Sequence, residues 1–122
     1  MAKKILVVDD EPQIVRLLSQ RLRASGFDTY GANDGYQCLK VTKEVKPDLI
    51  LLDIKMPAGG GIQAFNNLRS SIYTQNIPII FITAYPGPEV EKQVKELGAD
   101  GFFAKPFNSA ELLEKIEALI SE

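Results

Sequence analysis

The chain has 122 residues, which is the length of one domain. Its 14 basic and 16 acidic side chains give a formal net charge of −2, which argues against a broad nucleic-acid footprint or a polybasic membrane contact. There is no histidine, and Cys38 is the single cysteine, so Ser-His-Asp catalysis, histidine-ligated zinc and an internal disulfide are excluded. The apolar run after the first residues is too short for a signal peptide or a membrane span, which predicts a cytoplasmic protein.

Short apolar runs recur along the chain and predict the strands of a sheet. In chain order they are Ile5–Val8, the weaker Phe27–Gly31, Leu49–Leu52, Ile79–Ile82 and Phe102–Ala104. All but the second are continuous rather than alternating and are rich in β-branched or bulky residues, which is typical of strands covered on both faces. The second run alternates only weakly, which indicates an edge strand.

The segments between these runs carry apolar residues at helical spacing. These stripes cover residues 14–22, 38–45, 65–72, 90–97 and 112–120. Helix boundaries agree with them, because Asp10 or Glu11 precedes Pro12 at a predicted helix start, and Asn108 or Ser109 begins the last helix. Strands and helices alternate, so the sequence predicts a doubly wound α/β domain with a parallel sheet.

Polar side chains follow most of the predicted strands at the point where each strand ends. Asp9 and Asp10 follow the first strand. Asp53, Thr83 and Lys105 follow the third, fourth and fifth strands. Ligands of open parallel sheets bind outside the carboxyl ends of the strands. We therefore expect these side chains to face one edge of the sheet.

This set of residue types favours phosphoryl transfer. Two carboxylates about 4 Å apart repel each other by about 4 kcal/mol at an effective dielectric constant near 20. A cluster of carboxylates therefore holds a proton or binds a hard cation through oxygen ligands, and Mg²⁺ suits it. A lysine and a hydroxyl supply partners for a phosphoryl group. A carboxylate can itself be the nucleophile and form an aspartyl phosphate.

Each of these residues also has an ordinary structural use when it is taken alone. Asp10 can cap a helix, and Asp53 can begin a turn. Thr83 suits any strand end, and Lys105 can be a solvated charge. Phe102 can be a core residue. Only the joint convergence of these residue types on one edge of the sheet favours a functional site over these uses.

Four short motifs contain these residues in a fixed order. They are the acidic pair in Val8–Pro12, the loop Asp53–Pro57 with Gly61, the pair Thr83-Ala84, and Lys105–Phe107 with its proline. At these spacings they resemble a response-regulator receiver domain of two-component signalling, of the chemotaxis-regulator type. The resemblance implies a flavodoxin-like fold with a parallel sheet ordered 2-1-3-4-5 and a helix after each strand. It also implies one receiver domain over residues 1–122 with no output domain, and a proline after the lysine that is typically cis.

The resemblance further implies a phosphoacceptor and a metal site. Asp53 is implied as the phosphoacceptor. Asp10, Asp53 and the backbone carbonyl of Lys55 are implied to hold Mg²⁺ or Mn²⁺, with Asp9 binding directly or through a water. The donor is implied to be a histidine kinase or a histidine phosphotransfer protein, because this chain has no histidine of its own.

The remaining implied roles belong to a switch. Thr83 and Lys105 are implied to contact the phosphoryl group, and Phe102 takes the position of the switch aromatic. Phosphorylation is expected to draw Thr83 toward the phosphoryl group and repack Phe102, which changes the surface of the fourth helix, fifth strand and fifth helix. A downstream protein then reads that surface. The chain is expected to be a monomer or a phosphorylation-dependent dimer, with no nucleic acid bound and no membrane insertion.

Two other classes of function stay open from the sequence. The resemblance favours a signalling module that assists its own phosphorylation and dephosphorylation over an enzyme. A magnesium-dependent phosphohydrolase is less favoured, because its usual D-x-D-x-[TV] motif is absent and Lys55 stands two residues after Asp53. A scaffold that binds partners without phosphorylation is less favoured, because the acidic, hydroxyl and lysine positions are all filled. Tyr85, two residues after Thr83, is expected to screen an acyl phosphate from water and slow its hydrolysis.

Overall fold

The computed structural model describes residues 2–56, 60–106 and 108–120. Strands and helices alternate along these ranges, as the sequence predicts. The elements are β1 (Lys4–Val8), α1 (Pro12–Ala24), β2 (Asp28–Ala32), α2 (Gly35–Val45), β3 (Leu49–Asp53), α3 (Gly61–Arg69), β4 (Ile79–Thr83), α4 (Pro88–Leu97), β5 (Gly101–Ala104) and α5 (Ser109–Ile120).

The strands form one parallel sheet in the order β2-β1-β3-β4-β5. This order confirms the flavodoxin-like, doubly wound fold, in which the chain crosses from one side of β1 to the other between β2 and β3. β2 is the edge strand predicted from its weak alternation, and only its last residue, Ala32, is buried. β3 and β4 are buried along their whole length, as their continuous apolar runs predict.

Apolar layers cover both faces of the sheet. On one face α2, α3 and α4 pack against residues such as Leu6 and Val8. On the other face α1 and α5 pack against residues such as Ile5 and Val7. Since neighbouring strand residues point to opposite faces, a strand with a layer on each side must be apolar throughout. Cys38 is fully buried in the first layer, and burial raises the pKa of its thiol to about 11.

The helix ends decide between the capping residues that the sequence left open. Glu11 is the N-cap of α1, with an extended backbone (φ −96°, ψ 107°) before Pro12. Asp10 therefore does not cap α1, and the structural use considered for it does not apply. Asn108 caps α5, because its Oδ1 accepts hydrogen bonds from two backbone N–H groups of the first turn at 2.8 and 3.1 Å.

The third helix is shorter than its apolar stripe predicts. The stripe extends to Ile72, but α3 ends at Arg69 and Ile72 is 75% exposed. The Ser70 hydroxyl donates to the carbonyl of Asn67 at 2.8 Å, and such a local bond competes with continuation of the helix. Among the described residues, no helix is long and apolar enough to cross a membrane.

Candidate functional site

The polar residues predicted to share an edge lie together at the carboxyl ends of the strands. Asp9 follows β1 directly, Asp53 ends β3, Thr83 ends β4, and Lys105 follows β5 directly. Asp9, Asp53 and Thr83 are all buried, and Asp10 is exposed at the rim. The fold therefore brings these side chains to one edge of the sheet, as the sequence predicts.

Three carboxylates form the acidic part of this edge. Asp9, Asp10 and Asp53 each offer an oxygen, and these oxygens all lie within 4.8 Å of one another. At such distances two ionised carboxylates repel each other by several kcal/mol in a partly buried site. Carboxylate oxygens are the ligands that Mg²⁺ and other hard cations prefer, so the donor set fits a divalent cation.

Lys105 is the cation of the edge. Its Nζ donates a hydrogen bond to Asp9 Oδ2 at 2.6 Å and lies 3.8 Å from Asp53 Oδ2 and 3.8 Å from Glu11 Oε1. Burial opposes the charged form of this side chain. The hydrogen bond to Asp9 and the charges of Asp53, Asp9 and Glu11 outweigh burial and raise the lysine pKa. Lys105 is thus a fixed positive charge, yet one ammonium cannot balance three carboxylates.

The surroundings of Asp53 strongly change the pKa of its carboxyl group. Its burial and the neighbouring charge of Asp9 raise its pKa from 3.8 to about 7, and Asp10 adds to the effect. The charge of Lys105 and a hydrogen bond from the Lys55 backbone act in the opposite direction. An additional cation would favour the ionised form, which is the form that can act as a nucleophile.

Thr83 contributes a buried hydroxyl beside the acidic cluster. Its Oγ1 accepts a hydrogen bond from the backbone N–H of Tyr85 at 3.0 Å. A hydroxyl that accepts in this way still has its own proton to donate. In the sheet register Asp53 lies opposite Ile82, the residue before Thr83, so the hydroxyl belongs to the same edge as the carboxylate.

The backbone beside Asp53 is held by a glycine whose role sequence reasoning did not identify. Gly61 N donates to the carbonyl of Ile54 at 2.9 Å. A methyl group in place of its hydrogen would meet the Asp53 carbonyl oxygen and lie only 2.9 Å from the Ile54 Cα. Gly61 therefore permits a close approach of α3 to the end of β3, which positions the backbone from which the Asp53 side chain extends.

A cation–π contact lies beside the acidic cluster. Lys55 Nζ lies 4.8 Å from the centre of the Tyr85 ring, and Tyr85 is 65% exposed. The sequence placed both residues near the site but did not indicate that they touch. The contact joins the loops after β3 and β4, and at an exposed position it is worth about 0.5–1 kcal/mol.

The other predicted positions divide into those the structure describes and those it does not. Phe102 lies in β5 opposite Phe81 and packs, half-buried, against the layer of α2, α3 and α4. The Lys105-Pro106 peptide bond is cis, as the resemblance implies. Pro57 and Phe107, which belong to two of the matching motifs, lie outside the described residues.

This fold and this acidic edge define a receiver domain. The chain belongs to the response regulator receiver domain family, which it matches over residues 5–117. It is therefore the receiver domain of a two-component response regulator, a signalling module.

The relatives agree with this assignment. The chain is 42% identical over 121 residues to the alkaline phosphatase synthesis transcriptional regulatory protein PhoP of Bacillus subtilis, covering 98% of this chain and 49% of PhoP. It superimposes on the chemotaxis protein CheY4 of Vibrio cholerae with a TM-score of 0.90 and 29% identity, covering 98% and 99% of the two chains. The response regulator TrrA of Thermotoga maritima, solved in complex with Mg²⁺-BeF, gives a TM-score of 0.85 and 36% identity, covering 96% and 98%. The chain spans about half the length of the curated relatives it matches.

Proposed function

We propose that this receiver domain is a phosphorylation-activated switch that accepts a phosphoryl group on Asp53. The observation that carries the proposal is the placement of a buried carboxylate at a strand end, among two further carboxylates, with a lysine ammonium 3.8 Å away. A structural core does not require this arrangement, because buried carboxylates in such numbers cost free energy unless something compensates them. A dianionic phosphoryl group with a divalent cation matches the charges that the edge presents.

The metal in this proposal is Mg²⁺ or Mn²⁺. Asp9, Asp10 and Asp53 would hold it, together with the backbone carbonyl of Lys55. A bound Mg²⁺ would offset carboxylate charge and polarise a phosphoryl oxygen. The related TrrA structure contains Mg²⁺ and a beryllium fluoride group, which supports an acidic metal site in this chain.

The transfer step follows from the residues of the edge. An ionised oxygen of Asp53 attacks the phosphorus of a phosphohistidine, the P–N bond breaks, and its electron pair returns to the imidazole nitrogen. The donor in this proposal is a histidine kinase or a histidine phosphotransfer protein, which supplies the phosphohistidine that the chain, with no histidine, does not contain. Lys105, already 3.8 Å from Asp53, neutralises charge on the phosphoryl oxygens, and Thr83 donates its hydroxyl proton to one of them.

The response of the surface depends on two residues. Thr83 gains a partner only in the phosphorylated state, so its hydroxyl contributes the differential interaction that a two-state switch requires. Movement of Thr83 leaves space that Phe102 can fill from β5, which changes the surface of α4, β5 and α5 for a downstream protein. In NMR spectra, phosphorylation should cause large changes in the amide chemical shifts of α4, β5 and α5. These changes should be smaller in Thr83→Ala.

The decisive experiment is the intact mass of the protein after incubation with Mg²⁺ and acetyl phosphate. We expect one phosphoryl adduct in the wild type and in Asp28→Asn, an exposed control on β2, and none in Asp53→Asn. No adduct in the wild type would contradict the proposal and favour a scaffold. Rapid turnover of many phosphoesters without a stable adduct would favour a phosphohydrolase.

A further inference from the structure

A second concave site lies at the opposite end of the sheet from the acidic edge. The ends of α2 and α3 and the segment before β4 enclose a groove of about 650 Å³. Its apolar wall consists of Leu39, Pro47, Leu68 and Ile77. We call it the α2–α3 groove. It lies before the first residues of β3 and β4, whereas the acidic edge follows their last residues, about 13 Å further along each five-residue strand.

Large side chains beside the groove are exposed rather than packed. Tyr73, which lines it, is 88% exposed, and the adjacent Ile72 is 75% exposed. These two side chains add exposed apolar surface beside the groove, and tyrosine is among the residues that contribute most at interfaces.

The walls of the groove are already held in place. The Arg69 guanidinium donates to the carbonyl of Ile77 at 2.8 Å and to Asp100 at 3.0 Å. The Thr74 hydroxyl donates to the carbonyl of Leu68. A site that is preformed in this way loses little freedom when a ligand enters it, which favours binding.

The two charged residues that line the groove are both basic. Lys43 and Lys46 are exposed and line it, and no lining residue is acidic. Among the residues that the structure describes, neither ammonium has a carboxylate within 4.0 Å. Cations at a helix C-terminus complement the helix dipole, which accounts for some positive charge here. The dipole does not account for the apolar wall beside them.

Lys46 occupies a position that favours glycine. It follows α2 in the left-handed region (φ 55°, ψ 66°), and its N–H donates to the carbonyl of Thr42 at 2.9 Å. A side chain is strained there, and helices usually end in glycine at this point. The backbone at Lys46 is thus strained, and its side chain, with that of Lys43, places positive charge on the wall of the groove. It is this charge that favours an acidic ligand.

We propose that the α2–α3 groove binds an acidic amphipathic segment of another protein. Its apolar side chains would enter the groove between α2 and α3, and its carboxylates would pair with Lys43 and Lys46. Tyr73 would cover the bound segment from the side of α3. The site does not depend on Asp53, so this inference stands or falls separately from the proposed function.

The test uses a fluorescein-labelled synthetic peptide with leucine and glutamate at helical spacing, titrated with the full chain and followed by anisotropy. We expect binding in the micromolar range that weakens at least tenfold in Lys43→Glu/Lys46→Glu. The matched control is Lys92→Glu/Lys95→Glu on α4, which changes net charge equally and should bind like wild type. A peptide with lysine in place of glutamate should not bind.

Two further variants separate folding from binding. Lys46→Gly removes the charge and relieves the strained backbone, so it should raise the thermal midpoint while weakening peptide binding. Tyr73→Ser should weaken binding without changing the midpoint. Equal affinity of the wild type and the double variant, or no binding by the wild type at millimolar concentration, would overturn the proposal. So would self-association that the double variant abolishes, because the groove would then accept the acidic α5 of a second copy.

Discussion

Replacement of Asp53 by asparagine tests the electrostatics of the acidic edge. The substitution keeps the shape of the side chain and removes its charge. Burial and Asp9 raise the pKa of Asp53 to about 7, so above that pH the folded protein carries a buried carboxylate that the unfolded chain solvates more favourably. In the presence of a chelator, we expect Asp53→Asn to raise the free energy of unfolding at pH about 8.

The size of the gain follows from the two pKa values of Asp53. A rise from 3.8 to about 7 corresponds to about 4 kcal/mol, at 1.36 kcal/mol per pKa unit. The folded pKa is the higher one, so the folded state binds the proton more tightly. Below about pH 4, Asp53 therefore costs the wild type no stability. The free energy of unfolding falls as the pH rises from about 4 to about 7, and above that pH the contribution of Asp53 is constant. The attraction of Lys105, 3.8 Å away, is already included in this net pKa. Screening by solvent at the partly open edge reduces the gain, which leaves about 2–4 kcal/mol.

The assay is urea unfolding followed by far-ultraviolet circular dichroism between about pH 4 and 8. The difference between Asp53→Asn and the wild type should be close to zero near pH 4 and reach its full value near pH 8. Asp28→Asn, at an exposed position on β2, should show no such trend. Added Mg²⁺ should stabilise the wild type more than the variant. A variant that is no more stable than wild type at pH 8, or a difference that is independent of pH, would refute the electrostatic reasoning.

Three other substitutions test separate parts of the edge. Lys105→Met leaves the fully buried Asp9 without its 2.6 Å partner, so it should lower the free energy of unfolding by about 3 kcal/mol in urea titrations. Unchanged stability would show that the two side chains are not energetically coupled. Tyr85→Ala removes an aromatic ring beside the acidic cluster and should shorten the lifetime of a radiolabelled acyl phosphate several-fold, whereas an unchanged half-life would exclude screening of water. Gly61→Ala should cost about 1–3 kcal/mol of stability because its methyl meets the backbone at the end of β3. Gly87→Ala, whose added methyl would have no atom within 4 Å, is its control and should differ little from wild type in the same urea titrations.

The parts of the fold that could be predicted are those whose residue pattern fits only one kind of structure. β3 and β4 are buried on both faces, so their continuous apolar runs predict strands and even the layers around them. The end of α3 was not predictable from its stripe, because the hydroxyl of Ser70 bonds to Asn67 and the chain leaves the helix before Ile72. A local hydrogen bond of this kind leaves no trace in apolar spacing.

The candidate site was predictable in position but not in its contacts. Parallel strands end at one edge, so the sequence could place Asp9, Asp53 and Lys105 together. It could not show that Lys105 lies closest to Asp9, or that Glu11 is within 3.8 Å of the same ammonium. These contacts depend on side-chain directions from separate elements. The raised pKa of Asp53 likewise depends on its burial and on the neighbouring charges, chiefly that of Asp9.

The acidic edge and the α2–α3 groove lie at opposite ends of the same strands, so they raise the question of coupling. β3 and β4 are buried along their whole length. Within these strands the proposed switch moves only Thr83, at the carboxyl end of β4, and close packing holds the ends of the strands that face the groove. Coupling between distant sites requires an element with two states whose equilibrium both ligands bias. In the proposed switch that element is the surface of α4, β5 and α5, which lies outside the groove. We therefore expect the acidic peptide to bind the phosphorylated and unphosphorylated protein with affinities equal within about twofold, a coupling of less than 0.5 kcal/mol. Anisotropy titrations with and without acetyl phosphate measure it, with Asp53→Asn as the control for acetyl phosphate itself. A change of tenfold in the wild type alone would show that the strands transmit the phosphorylation state, contrary to the packing argument.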